Sequence, residues 1–147
     1  PDLHADFAGC LWLDGAAAMN TQVTAVVLFA HGSRDPLWRA PIDAVAAEIS
    51  RQSPGVAVRC AFLELMAPDL PQTVDALVQE GHRAIRIVPM FLGVGRHARE
   101  DLPVLTTALR QRHPELQLEL QLALGEQPEM TRCMARIALN DKAIHTT

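Results

Sequence analysis

Two histidines in matching settings carry the chemistry that this sequence offers. His31 ends the apolar run Val26-Val27-Leu28-Phe29-Ala30 and opens His31-Gly32-Ser33-Arg34-Asp35-Pro36. His97 follows the run Ile85-Arg86-Ile87-Val88-Pro89-Met90-Phe91-Leu92 and the loop Gly93-Val94-Gly95-Arg96. Each run reads as a buried strand, so each histidine stands just past a strand's carboxyl end. In open α/β sheets that edge binds ligands. Two imidazoles brought together there hold a divalent metal or shuttle protons. Glu64, in Ala61-Phe62-Leu63-Glu64-Leu65-Met66, ends a third run. A carboxylate there is a candidate general base or metal ligand; the competing reading is a helix-entry cap.

The residues beside the histidines divide by chemistry. Gly32 permits close approach to a ligand, and Ser33 and Arg34 offer donors to an anion. Asp35-Pro36 is turn chemistry, so Asp35 reads as structural. Arg96 and Arg99 flank His97 as substrate contacts or as a solvated basic rim. The glycines at 93 and 95 do not make a dinucleotide loop: the third glycine position of that motif is Ala98, and the loop follows the third strand. His82 precedes that strand at the opposite edge, His113 ends a helix, and His4 and His145 lie in the tails.

These residues need a scaffold, and the chain alternates strand and helix patterns from Thr24 onward. Strands are expected at about 24–30, 56–63, 84–91 and 115–123, and helices at about 38–52, 69–80, 98–112 and 128–140. The helix at 38–52 places Ile42, Val45, Ala46 and Ile49 on one face. Glu100 and Asp101 fall in the expected first turn of the third helix, where acids suit the dipole. Such (βα)₄ alternation implies a three-layer α/β sandwich around a four-stranded, mainly parallel sheet. Strands one and three are nearly all apolar, as central strands should be. Strand four alternates leucine with Gln117, Glu119 and Gln121, the mark of an edge strand with one wet face. In a flavodoxin-like order 2-1-3-4, strands one and three are neighbours, and His31 and His97 face each other across the switch point.

Composition bounds the class. The 147 residues suit one domain. Residues 1–22 read as an N-terminal extension or a cloning remnant, 23–140 as the domain and 141–147 as a C-terminal tail. The net charge of −4 argues against a phosphate-backbone binder. Aromatics at 4 %, with no tyrosine, argue against base-stacking surfaces, so no nucleic-acid partner is expected. Cys10, Cys60 and Cys133 are far apart with no CxxC pair, which disfavours a thiolate zinc site and points to a reducing cytoplasm. No apolar stretch approaches membrane-span length.

Three blocks then carry a family resemblance: Leu28-Phe29-Ala30-His31-Gly32-Ser33-Arg34-Asp35, Phe62-Leu63-Glu64, and Pro89-Met90-Phe91-Leu92-Gly93-Val94-Gly95-Arg96-His97 with Asp101-Leu102-Pro103. In that order the chain resembles the short CbiX-type sirohydrochlorin cobaltochelatases, over about 24–140. The resemblance implies a class II chelatase fold, insertion of Co²⁺ into the tetrapyrrole sirohydrochlorin on the way to cobalamin, and pairing of two copies into a homodimer. It implies that His31 and His97 bind the metal, that His31 accepts a proton, and that Glu64 and the loop Leu92-Gly93-Val94-Gly95-Arg96 line the substrate site. The metal is substrate, Co²⁺ before Fe²⁺ or Ni²⁺, and no organic cofactor is expected. Arg34 and Arg96 suit the substrate's carboxylates. Leu37, Trp38, Met66, Met90 and Phe91 are candidates for the interface between copies; the leucine face of strand four is expected under helices. Rival readings are a non-catalytic tetrapyrrole or metal carrier and a histidine phosphatase. The phosphatase motif needs arginine before the histidine, where this chain has Ala30.

Overall fold

The computed structural model describes residues 22–140; the expectations for the extension and the C-terminal tail, with His4, Cys10 and His145, lie outside the described residues. The chain runs β1 (Ala25–Ala30), α1 (Ala40–Gln52), β2 (Ala57–Phe62), α2 (Leu70–Gln79), β3 (Ala84–Pro89), α3 (Arg96–Arg112), β4 (Gln117–Leu120) and α4 (Pro128–Ala138). Short 3-10 turns at Pro36–Arg39 and Leu124–Glu126 lead into α1 and α4. The sheet order is β2-β1-β3-β4, and every pair is parallel. The predicted order and edge position of the fourth strand are both observed.

Strand periodicity assigns the two faces. Val27, Phe29, Ala61, Ile85 and Ile87 point to the side where Leu70, Val74 and Leu77 of α2 and Leu102 and Leu109 of α3 close the core. Residues of opposite parity face α1. There the Arg39 guanidinium stacks over the Phe62 ring at 4.9 Å and forks onto Asp43. On the same side Arg86 pairs with Glu119 across β3 and β4 at 3.0 Å. That pair explains the polar half of the β4 alternation: it faces the α1 side, while Leu116 and Leu118 enter the core.

α2 starts on a reciprocal capping box. The Asp69 carboxylate accepts from the Gln72 amide at 2.8 Å, and the Gln72 side chain accepts from the Asp69 amide at 3.1 Å. Asp69→Ala is expected to destabilise the domain by about 1 kcal/mol, read as a lower urea midpoint at unchanged slope. An unchanged midpoint would mean that the cap contributes nothing.

Two elements depart most from their expected bounds. β4 is four residues long instead of 115–123, because its last ladder bond, Gln121 N–H to the Ile87 carbonyl, is followed by the 3-10 turn. Leu122 is therefore outside the strand and exposed. α3 begins at Arg96, not 98, since Gly95 is extended and its carbonyl accepts the Arg99 amide at 3.1 Å. Glu100 thus sits one turn deeper and pairs with Arg96. As the expected span of 98–112 implies, α3 continues through Pro103, which has no N–H to offer the Arg99 carbonyl.

Candidate functional site

Backbone pairing continues past the strands and builds the carboxyl edge. The Leu63 amide donates to the Ala30 carbonyl at 2.9 Å and the Glu64 amide to the His31 carbonyl at 3.0 Å. The Met90 amide donates to Phe29 at 2.8 Å. His31, Glu64 and the start of the 92–96 loop are thereby set at one end of the sheet, and His97 follows as the second residue of α3. His31, Glu64 and His97 are all exposed, as groups that meet a ligand must be.

Gly32 makes a close backbone approach between the ends of β1 and β2. Its φ is +96°, and a Cβ there would lie 1.9 Å from the Glu64 carbonyl oxygen. Only glycine lets the two strand ends meet. Leu65, just beyond, is held at φ 63°, a region costly for a non-glycine residue. Ser33 and Asp35 form the turn that follows: the Ser33 hydroxyl accepts the Asp35 amide, and the Asp35 carboxylate accepts the Leu37 amide at 2.9 Å. Asp35 is structural, as its type suggested. Ser33 is half-buried and already engaged in this turn. Arg34 is exposed. Arg96 is exposed too and lies along α3 against Glu100 at 3.0 Å.

Phe91 is corrected from interface candidate to core residue. It is 4 % exposed, with its ring 6.0 Å from Phe29, edge-on, and 5.0 Å from the His31 imidazole. It forms the floor under His31. Leu37 and Trp38 do reach solvent, while Met66 and Met90 are half-buried.

Among the described residues, no three of His, Cys, Asp and Glu are grouped so as to hold a metal ion. His31, Glu64 and His97 therefore share an edge without forming a closed three-ligand cage. Cys60 stays apart from them, on the α1 side next to Asp43. Burial first, and the Asp43 carboxylate second, push its thiol up, so it is a poor thiolate donor. A cavity of about 330 Å³ adjoins the start of α3, with Val94, Ala98, Arg99, Leu102, Leu122 and Glu126 in its wall. A larger one, about 610 Å³, lies between the polar side of β4 and α4 and holds none of the sequence-predicted site residues.

Sequence reasoning missed Gly125. Its amide donates to the Phe91 carbonyl at 2.8 Å, and a Cβ there would fall 1.6 Å from the Leu92 carbonyl oxygen. Nothing in the local run Ala123-Leu124-Gly125-Glu126 signals a partner more than thirty residues away.

Comparison with known proteins places this geometry. The CbiX family model matches residues 25–139. The sirohydrochlorin cobaltochelatase of Methanococcus aeolicus is 37 % identical over 79 residues, covering 54 % of this chain and 55 % of that protein. That of Methanocaldococcus jannaschii is 30 % identical over 89 residues, covering 60 % and 62 %. The chain thus spans less than two thirds of these relatives' length. Among solved structures, a cobalamin (vitamin B12) biosynthesis CbiX protein from Marinobacter aquaeolei VT8 superposes with a TM-score of 0.70 at 24 % identity, over 83 % of this chain and 98 % of that one. The sirohydrochlorin chelatase SirB from Bacillus subtilis subspecies spizizenii, in complex with cobalt, gives 0.65 at 23 % identity, over 80 % of this chain and 50 % of that one. Both likenesses concern the fold. Since the family match runs from the first residue of β1 to just past the end of α4, the chain belongs to the CbiX family.

Proposed function

We propose that this chain is a metal chelatase that inserts Co²⁺ into sirohydrochlorin during cobalamin synthesis. The observation that carries the reading is the pair of exposed histidines that follow the two central strands, at the ligand edge of a CbiX-family sheet. The relatives named sirohydrochlorin cobaltochelatases support the substrate and the metal.

The chemistry matches the residues. Insertion exchanges one divalent cation for two pyrrole N–H protons. The ion must be held firmly enough to be captured and loosely enough to be released. A pair of imidazoles, with water completing the shell, is such an exchangeable site; closed four-ligand cages are structural. His31 accepts a proton as the metal leaves it, because a freed imidazole is a base near neutral pH. Glu64, at the same edge, takes the second proton or hands it to water. The Leu92–Arg96 loop lies against the macrocycle, and its two glycines keep that wall low.

Arg34 and Arg96 address the substrate's carboxylates. Each charge-assisted bond is worth about 1.5–3 kcal/mol when water is excluded, and an exposed arginine gives less. Arg96 is 83 % exposed and shared with Glu100, so Arg34→Ala is expected to raise the dissociation constant for sirohydrochlorin more than Arg96→Ala, with Co²⁺ affinity unchanged in both. Equal substrate affinity in wild type and both variants would make these arginines a solvated rim.

One lobe offers one wall of a cleft, and a broad flat macrocycle needs two to exclude water. The reading therefore includes a cytoplasmic homodimer with two-fold symmetry. Leu37, 81 % exposed, and Trp38, 38 % exposed, stand beside the site as contact residues. The matching of this chain to half of SirB supports a two-lobed arrangement. The test is incubation of the protein with sirohydrochlorin and Co²⁺, Ni²⁺ or Fe²⁺ in turn, following the macrocycle's absorption. Insertion fastest with Co²⁺ is expected. No acceleration over the protein-free rate with any metal contradicts the reading.

A further inference from the structure

We infer that Gly125 is a positioning residue that sets the two histidines in register. The inference rests on the chelatase reading of the His31–His97 edge, and concerns a residue outside it. Gly125 sits in the 3-10 turn between β4 and α4. Its φ is not left-handed, so its need for glycine is one of space. A side chain would strike the Leu92 backbone at three atoms, with its oxygen at 1.6 Å, its carbonyl carbon at 2.4 Å and its Cα at 2.7 Å. Backbone atoms cannot swing aside as a flexible side-chain end can.

Gly125 also ties the strand end directly, through its amide to the Phe91 carbonyl at 2.8 Å. From that one point two routes lead to the metal pair. The Phe91 ring supports the His31 imidazole from 5.0 Å. Leu92, its neighbour, begins the loop that delivers His97 to the first turn of α3. A shift of the Phe91–Leu92 backbone therefore moves the floor of one histidine and the tether of the other. Buried Ala123, 4 % exposed, anchors the turn to the core. The β4–α4 connection is thus part of the site's support, although it holds none of the predicted ligands.

The test is Gly125→Ala, read first by the imidazole ring signals of His31 and His97 in NMR spectra of the metal-free protein. Both are expected to shift, and cobalt insertion to fall by about 10²-fold, the cost of a misplacement near 1 Å. Phe91→Leu keeps the backbone tie and removes the ring, so it is expected to shift His31 and leave His97 in place. Gly55→Ala, a site with no atom within 4 Å of the added carbon, is expected to change neither. A folded Gly125→Ala protein with both imidazole signals unmoved overturns the inference. Should that variant fail to fold, hydrogen exchange on the unmodified chain decides. A slowly exchanging Gly125 amide supports the tie, and one exchanging as fast as an exposed loop amide overturns it. If the unmodified chain inserts no metal while Gly125→Ala still shifts both signals, the chelatase reading fails and the positioning role stands.

Discussion

His31→Ala is expected to slow cobalt insertion by about 10²–10⁴-fold, the range for loss of a positioned acid–base group, and His97→Ala to slow it sharply through loss of a ligand, while the fold survives in both. The two effects have different origins. Without His31 the site loses a ligand and the base next to Phe91; without His97 it loses a ligand only. A small exogenous base such as imidazole should therefore restore more activity to the first variant than to the second. Stability should change by no more than about 0.5 kcal/mol in either, because both side chains are exposed and neither enters the core. Steady-state insertion rates and urea unfolding on the same preparations check both halves. Normal insertion by either variant would remove that histidine from the mechanism.

Gly32→Ala should do the opposite, damaging stability and site together. The added methyl meets two separate penalties. A φ of +96° costs a non-glycine residue about 1–3 kcal/mol. The Cβ would also stand 1.9 Å from the Glu64 carbonyl oxygen, and relieving such overpacking costs about 1–3 kcal/mol more. Relief can come only by parting the ends of β1 and β2. That breaks the Glu64-to-His31 backbone bond and carries both side chains away from the edge. A large drop in the urea midpoint with loss of insertion is expected. Gly55→Ala serves as the reference, since its site is open; a Gly32→Ala midpoint equal to that reference would contradict the account.

Legibility in the sequence followed the range of the interactions. Strand order and edges could be read because apolar runs and alternation report local burial: Val26–Ala30 reads as central, and Gln117–Gln121 as half-wet. The turn role of Asp35 was legible because its hydrogen bonds reach two residues along the chain. Helix ends were less so. Glu100 and Asp101 resemble a first turn by charge, yet Gly95, extended and uncharged, starts α3 two residues sooner. Phe91 was misjudged because an aromatic at a strand end looks the same in sequence whether it faces a partner or supports a neighbour. Gly125 was invisible because its constraint is the Leu92 backbone, more than thirty residues away. The three residues with chemical promise were legible in type and edge; their failure to gather as a three-ligand cage depends on side-chain directions that spacing does not encode.

The central claim is that one ion meets both histidines. X-ray absorption at the cobalt edge, on the protein loaded with one equivalent of Co²⁺, tests it most directly by counting imidazoles around the metal. The account predicts two imidazole rings in the wild type, one in each of His31→Ala and His97→Ala, and light oxygen or water ligands in the remaining positions. A cobalt shell without imidazole in the wild type, or one unchanged by removing either histidine, would contradict it.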